Sequence, residues 1–146
     1  MQKQPSQPKP PPADRSESAF TAQQAVALGQ TFIYAEPSGD HNPIHIDQAF
    51  AEKVGLGGVI LQGLCTMAFC HKAIVQQVCD GDPHRLRRLA LRFSKPVRPG
   101  DQLTIEGWWT SPAGEGETRS LGFEARTEAG DVVIKQGEAV LLPISR

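Results

Sequence analysis

The sequence predicts an α+β domain in which an antiparallel β-sheet wraps around one long central helix. Residues 59–79 form the most apolar stretch, and their apolar side chains recur at helical offsets over a length too great for a strand. The last third of the chain instead holds four segments in which apolar and polar residues alternate, which is typical of strands. A single buried helix followed by such a sheet must lie across one face of it. This is the hot-dog arrangement.

The predicted central helix has apolar residues around most of its circumference. Leu64, Met67, Ala68, Ile74 and Val75 do not fall on one narrow stripe. We therefore expect this helix to be buried on nearly all sides.

Turn-forming residues separate the four predicted strands. The first alternating segment contains Leu89, Leu91 and Phe93, and polar turns at residues 98–101, 111–117 and 129–131 separate the later ones. Short links between consecutive strands favour an antiparallel meander of four strands in series.

The part of the chain before the central helix is less regular. Residues 1–19 are rich in proline and poor in apolar side chains, so we predict a disordered arm there and a single domain over residues 20–146. Weak helical spacing predicts one or two short helices in residues 20–36. A further short helix is expected from Asp47, as its cap, to Val54, with Ala49, Phe50 and Val54 facing inward.

Charge and composition restrict the classes of function. The formal net charge of −1 provides no field that would attract nucleic acid or an anionic membrane, and no apolar run has the roughly 20 residues needed to cross a bilayer. Three cysteines, Cys65, Cys70 and Cys79, lie in one apolar stretch, which favours small core residues in a reducing compartment. We expect a cytoplasmic protein that binds neither nucleic acid nor membrane.

Residues 38–47 concentrate two carboxylates, two imidazoles and an amide in a loop interrupted by Pro43. These residue types are ordinary turn formers, so a purely structural role is one interpretation. His41 and His45 have the spacing of two metal ligands on a helix, but Pro43 lies between them and no other ligand cluster has a suitable spacing. We therefore expect no metal site.

General acid–base catalysis is the third interpretation of this loop. Asp40 and His45 can converge on one water molecule, so that one removes a proton while the other donates. Acyl-thioester chemistry would also need a donor for the enolate oxygen. Gly63 is a candidate, since it lies near the start of the long helix, where backbone N–H groups are unpaired.

The same segment, Ser-Gly-Asp-His-Asn-Pro-Ile-His-Ile-Asp, resembles the Ser-Gly-Asp-x-Asn-Pro-Leu-His signature of the MaoC-like (R)-specific enoyl-CoA hydratases. Residues 58–66 are similar to the start of that family's central helix, and residues 92–100 to the strand and turn after it. The resemblance is strongest to the C-terminal, catalytic half of the hydratase unit in peroxisomal multifunctional enzymes. It covers roughly residues 11–142 and identifies residues 20–146 as one MaoC-like hot-dog domain.

The resemblance implies roles for four residues. Asp40 and His45 match the catalytic pair that holds the water added syn to a trans-2-enoyl-CoA, giving the (R)-3-hydroxyacyl-CoA. Asn42 matches a supporting residue of the site, and Gly63 matches the glycine whose N–H holds the thioester oxygen. No metal or redox cofactor is implied, because CoA is part of the substrate. The chain departs from the family pattern at Gln62, where His is common, and at Pro37.

The resemblance also implies a partner. The multifunctional enzymes carry two hot-dog repeats, and this chain matches only the second, so we expect a homodimer or a heterodimer with another hot-dog subunit. Two alternatives to a CoA hydratase are a (3R)-hydroxyacyl-ACP dehydratase and a partner-dependent or non-catalytic subunit.

Overall fold

The computed structural model describes residues 14–114 and 116–143. Within these residues the helices are α1 (Gln30–Ser38), α2 (Pro43–Ile46), α3 (Gln48–Lys53), α4 (Gly63–Val78) and a 3₁₀ turn (Pro83–Arg85). The strands are β1 (Ser18–Ala25), β2 (Leu86–Phe93), β3 (Gln102–Trp109), β4 (Arg119–Thr127) and β5 (Val132–Leu141). The long helix and the four later strands are confirmed, and they form the predicted α+β hot-dog fold. None of the helices in the described ranges is long and apolar enough to cross a membrane.

The described strands form one antiparallel sheet in the order β1-β3-β4-β5-β2. Strands β3, β4 and β5 make the predicted meander. The prediction of four strands in series is wrong for β2, which pairs with β5 at the far edge of the sheet instead of with β3. The turn at Arg98–Asp101 therefore carries the chain across the sheet, where it meets β1 through a hydrogen bond from the N–H of Val26 to the carbonyl of Asp101 (2.8 Å).

Helix α4 contributes one face, and not its whole circumference, to the core. Its buried side chains pack with inward-facing residues of the sheet in one cluster that includes Cys70, Ile74, Leu103, Ile105, Phe123 and Ile134. The expectation of burial on nearly all sides is wrong, since Leu64 is 63% exposed and Ala68 is also exposed. Helix α4 thus carries exposed apolar residues on its outer side.

The three cysteines are buried and free, as expected for small core residues. Burial raises the pKa of Cys65 to about 11 and that of Cys70 to about 12. Since the thiolate is the nucleophilic form, both thiols are held in their unreactive state.

The N-terminal prediction needs correction, because β1 occupies residues assigned to the arm and to a helix. Its alternating exposure from Ser18 to Ala25 is that of an edge strand. The ring of Phe20 lies where a side chain on Gly107 would be, 2.3 Å from the position of the absent Cβ atom. The missing side chain at Gly107 therefore lets β1 pack closely on β3.

Residues just before β1 also contact the sheet. The Arg15 guanidinium lies 4.1 Å from the centre of the Trp108 ring and 2.7 Å from the carboxylate of Glu124, and Arg119 binds Glu17 at 2.7 Å. A disordered arm reaching residue 19 is therefore wrong for residues 14–19. The rest of that prediction, residues 1–13, lies outside the described residues.

The short helix predicted after the polar loop is confirmed as α3. The Asp47 carboxylate accepts a hydrogen bond from the N–H of Phe50 (3.0 Å), as an N-cap does. The predicted inward face is wrong, since Ala51 is the buried residue while Ala49, Phe50 and Val54 are exposed. Over so short a helix the sequence contains too few positions to locate the buried face.

Candidate active site

Asp40 follows directly from the end of α1. Gly39 terminates that helix in the left-handed conformation (φ 72°), which glycine adopts without strain, and donates its N–H to the carbonyl of Ala35 (2.9 Å). The N–H of Asp40 then donates to the Ser38 hydroxyl (3.2 Å). One carboxylate oxygen, Oδ1, accepts the N–H of Asn42 at 3.3 Å. These contacts hold the carboxyl group so that Oδ2 is the oxygen nearer His45.

His45 lies on α2, the one-turn helix that begins just after Asn42. The Asn42 side chain caps this helix by accepting the N–H of Ile44 (3.3 Å), and Pro43 occupies the first turn, where its missing N–H does no harm. Asn42 thus contacts Asp40 through its backbone and the start of α2 through its side chain. The predicted supporting role of Asn42 rests on these two contacts.

The imidazole of His45 has a defined orientation. Its Nδ1 lies 2.7 Å from the carbonyl oxygen of Ile60. Because a carbonyl can only accept, Nδ1 carries the proton, and in the neutral ring Nε2 is left as an acceptor. Nε2 faces Asp40 Oδ2 at 3.6 Å.

This separation suits a bridging water better than a direct hydrogen bond. Two acceptors, a carboxylate oxygen and an unprotonated ring nitrogen, face each other at 3.6 Å, beyond normal hydrogen-bond length. One water oxygen about 2.8 Å from both atoms completes a triangle with them and can donate a proton to each. The pair therefore has the geometry to hold and deprotonate a single water molecule.

The chain segment before α4 ties His45 to Gly63. The carbonyl of Ile60 accepts a hydrogen bond from Nδ1–H of His45, and the N–H of Ile60 donates to the carbonyl of Ile44 (3.1 Å). Gly63 then begins α4, so its backbone N–H has no acceptor within the helix. Two bonds to one residue thus fix α2 relative to the helix N-terminus, and the dipole there favours negative charge.

A pocket of about 250 Å³ joins these groups. His45 and Gly63 lie in its wall with the buried residues Leu61, Thr66 and Val97. Asp40 is not part of the wall, but its Oδ2 lies 3.6 Å from Nε2 of His45. The remaining wall residues come from the loop before α4, from β2 and the segment after it, and from β5: Ile60, Phe93, Ser94, Lys95, Pro96 and Val133. Most of this lining is apolar, with few polar groups, as in small-molecule sites.

Gln62 anchors a second element to the same helix start. Its buried side-chain amide donates to the carbonyl of Thr31 on α1 (2.9 Å). Since α1 ends just before Asp40, this hydrogen bond holds the helix that positions Asp40 against the start of α4. The substitution of the family's usual His by Gln62 leaves a polar anchor in place. Within the described ranges, Gln62 Oε1 and the Thr31 hydroxyl are buried without a hydrogen-bond partner.

Of the four predicted site residues, Asp40 lies within 3.6 Å of His45 and is contacted by Asn42, and Gly63 shares the pocket wall with His45. Sequence reasoning missed the carbonyl of Ile60, which selects the tautomer of His45, and the pocket residues Thr66 and Phe93. A backbone carbonyl leaves no trace in a sequence. Thr66 lies one helical turn after Gly63, so helical spacing could have indicated it.

The other histidines lie outside this pocket wall. His41 contacts the Glu36 carboxylate at 3.0 Å, and His84 contacts Asp82 at 2.9 Å, both at the surface. The hydrogen bond that His41 donates to the Glu36 carboxylate raises the pKa of His41. Across residues 14–114 and 116–143, no three His, Cys, Asp or Glu side chains gather as they would around a metal ion.

The hot-dog domain thus carries a histidine–carboxylate pair beside a pocket whose wall includes the N-terminus of a long helix. The chain belongs to the MaoC like domain family, whose profile matches residues 8–129.

Two curated relatives and a solved structure are similar to this chain. It is 34% identical over 136 residues to "Probable enoyl-CoA hydratase 2" of Dictyostelium discoideum, covering 92% of this chain and 44% of that protein. It is 39% identical over 122 residues to "Peroxisomal multifunctional enzyme type 2" of Mus musculus, covering 83% and 16%. The (R)-hydratase from A. caviae involved in PHA biosynthesis superposes with a TM-score of 0.75 at 25% identity, covering 90% of this chain and all (100%) of that one. The chain thus spans less than half the length of these two curated relatives.

Proposed function

We propose that this chain is a hydro-lyase that hydrates trans-2-enoyl-CoA thioesters to (R)-3-hydroxyacyl-CoA. The observation that carries the proposal is the pair of facing acceptors, Asp40 Oδ2 and His45 Nε2, 3.6 Å apart beside a pocket that also contains Gly63. Membership of the family and the names of the similar proteins point to the same reaction.

The pair supplies the proton transfers of the addition. One water molecule lies between Asp40 and His45, and one of the two takes its proton as the water oxygen bonds to C3 of the substrate. The C2–C3 π bond breaks, and the pair returns one proton to C2 on the same face. The net change is syn addition of H and OH, which leaves the protonation state of the pair unchanged. Such acid–base catalysis contributes roughly 10²–10⁴-fold to the rate.

Gly63 stabilises the charge that develops during this addition. As oxygen attacks C3, negative charge moves to the thioester oxygen, which becomes enolate-like. The unpaired N–H of Gly63 and the N-terminal end of α4 meet that charge. The thioester carbonyl therefore lies at Gly63, while C2 and C3 lie at His45. The substrate supplies its own CoA, so the step as written needs no further cofactor.

The test is hydration of crotonyl-CoA by the purified chain. The reaction is monitored through the loss of the 2-enoyl thioester absorbance, and the product is identified by chiral analysis. We expect formation of the (R)-3-hydroxy product. Formation of the (S) product contradicts the proposed geometry. Activity on an ACP-bound 3-hydroxyacyl substrate but not on crotonyl-CoA would replace the proposal with a dehydratase on the other carrier.

We also propose that the active protein pairs with a second hot-dog subunit, either a copy of itself or another chain. Several large apolar side chains are exposed on α1 and α4, among them Phe32, Ile33 and Leu64, and such side chains favour a partner. The mass of the purified chain by light scattering tests this: a dimer supports self-pairing. An inactive monomer supports a heterologous partner, and an active monomer contradicts the proposal.

A further inference from the structure

Phe93 packs directly on the glycine at the start of α4. Two atoms of its ring, Cε1 and Cζ, lie 3.2 Å from the point where a side chain on Gly63 would begin. Both residues line the pocket that also contains His45. A thioester bound to the N–H of Gly63 would therefore place its acyl group against the Phe93 ring.

The backbone of Phe93 is fixed, while its ring is not enclosed. Phe93 is the last residue of β2 and pairs with Ile134 of β5, and the next residue, Ser94, donates its N–H to the carbonyl of Val133 (3.0 Å). The side chain is nevertheless 51% exposed. An apolar ring with so little core packing contributes little to stability, so its position against the glycine calls for another explanation.

The pocket is small for the class of substrate. Its volume of about 250 Å³ lies below the roughly 300–1,000 Å³ of typical small-molecule sites. The buried walls at Leu61, Val97 and Val133 belong to the core and cannot move without loss of packing. Phe93 is a large apolar residue of the wall, and because it is 51% exposed its side chain can be removed without opening the core.

We infer that Phe93 determines substrate specificity by limiting the acyl group to short chains. This inference rests on the proposed hydratase function and names its substrate class. A ring against Gly63 occupies the space next to the reacting carbons, so a longer chain must displace it or bend around it. Each methylene that a pocket accepts or rejects typically changes relative rates by at least about tenfold.

The experiment measures kcat/KM of the purified chain for crotonyl-CoA and for trans-2-octenoyl-CoA, and takes the ratio of octenoyl to crotonyl. The variants are Phe93→Ala and Phe93→Leu. Phe50→Ala is the matched control, since Phe50 is also partly exposed (38%) but lies on α3, outside the pocket wall. We expect Phe93→Ala to raise the ratio about tenfold or more, Phe93→Leu to raise it less, and Phe50→Ala to leave it unchanged.

Two results overturn the inference while the hydratase function stands: an unchanged ratio in a folded Phe93→Ala variant, and an equal rise in Phe50→Ala. A wild-type chain inactive on both substrates overturns the inference together with the proposed function, so the two failures are distinct. Thermal unfolding checks each variant, and Phe93→Leu decides the matter if Phe93→Ala melts below the assay temperature.

Discussion

Two histidine–carboxylate pairs lie in the segment 36–45, and they differ in both contact and surroundings. His41 and Glu36 are 3.0 Å apart, with both side chains in water. His45 and Asp40 are 3.6 Å apart, but the His45 side chain is only 9% exposed and lines the pocket. The tighter pair is thus the one without a pocket. The short contact between His41 and Glu36 is that of a surface pair. The wider gap between His45 Nε2 and Asp40 Oδ2, both acceptors, leaves room for a bridging water beside the pocket.

The first and largest expected effect separates these pairs by activity. Asp40→Asn removes the carboxylate and should lower turnover by roughly 10²-fold or more, because an amide cannot accept the proton of water. His45→Gln should cause a loss of similar size. Turnover of an enoyl-CoA, measured beside circular dichroism to verify folding, checks both variants.

His41→Gln is the matched control for this prediction. It removes an imidazole from the same loop, yet we expect turnover within about twofold of wild type, since surface substitutions have small effects. A loss in His41→Gln equal to that in His45→Gln would mean that the surface pair takes part in the reaction. Near-wild-type activity in Asp40→Asn would exclude the mechanism.

The second prediction concerns Gly63, which faces the same pocket as His45. A Cβ in Gly63→Ala would lie 3.2 Å from the Phe93 ring, too close for ordinary contact but against a side chain that is free to move. We expect kcat/KM to fall about tenfold because the methyl group disturbs a thioester held at the N–H. In a Phe93→Leu background the loss should be smaller, and the double-mutant cycle measures the difference. An equal loss in both backgrounds would show that the ring and the glycine act independently.

Sequence reasoning succeeded where chemistry is local. The segment from Ser38 to Asp47 contains Asp40 and His45, the cap at Asn42 and the helix stop at Gly39 within a few residues, so their proximity follows from chain connectivity. The central helix was also predictable, because a long helical period cannot be mistaken for a strand.

Sequence reasoning failed where the structure depends on pairing between segments that are far apart in the chain. Strand β1 looked helical because its polar residues face solvent at the sheet edge, and only Gly107, far along the chain, explains why Phe20 docks there. The pairing of β2 with β5 depends on a crossover that no local pattern encodes. The exposed side of α4 was predicted to be core because it includes apolar residues such as Leu64 and Ala68, and composition alone does not show which face of a helix the sheet covers.

The third prediction concerns a carboxylate with a structural role. Glu124 binds Arg15 and Arg126 and is buried, but it lies on the face of β4 opposite Phe123 and Ala125, away from the core. We expect it to stabilise the fold and to leave catalysis unchanged.

Two truncated chains measure how much the contacts of Arg15 with Glu124 and of Glu17 with Arg119 contribute to stability. One begins at residue 14 and retains Arg15 and Glu17, while the other begins at residue 18 and lacks them. We expect the second to be less stable by about 1 kcal/mol, as for partly exposed ion pairs and a cation–π contact, with unchanged kcat. Chemical denaturation measures the difference. Equal stability would mean that residues 14–17 lie on the sheet without supporting it.

The smallest expected effect is a change in the pH dependence of stability, which distinguishes the His41–Glu36 pair from the His45–Asp40 pair. The hydrogen bond that His41 donates to the Glu36 carboxylate raises the pKa of His41 above its ordinary value. A raised pKa means that the pair stabilises the folded state fully below the unfolded pKa of about 6.5 and loses this effect as pH rises through the folded value. Glu36→Gln should therefore return the His41 pKa, measured by NMR titration, towards its ordinary value, and should reduce stability slightly at acidic pH and not at all at pH 8. The pH profile of kcat should not change, because the proposed mechanism assigns the proton transfers to Asp40 and His45. A shifted profile in Glu36→Gln would mean that the two pairs are coupled through the loop, and the surface pair would then be part of the site.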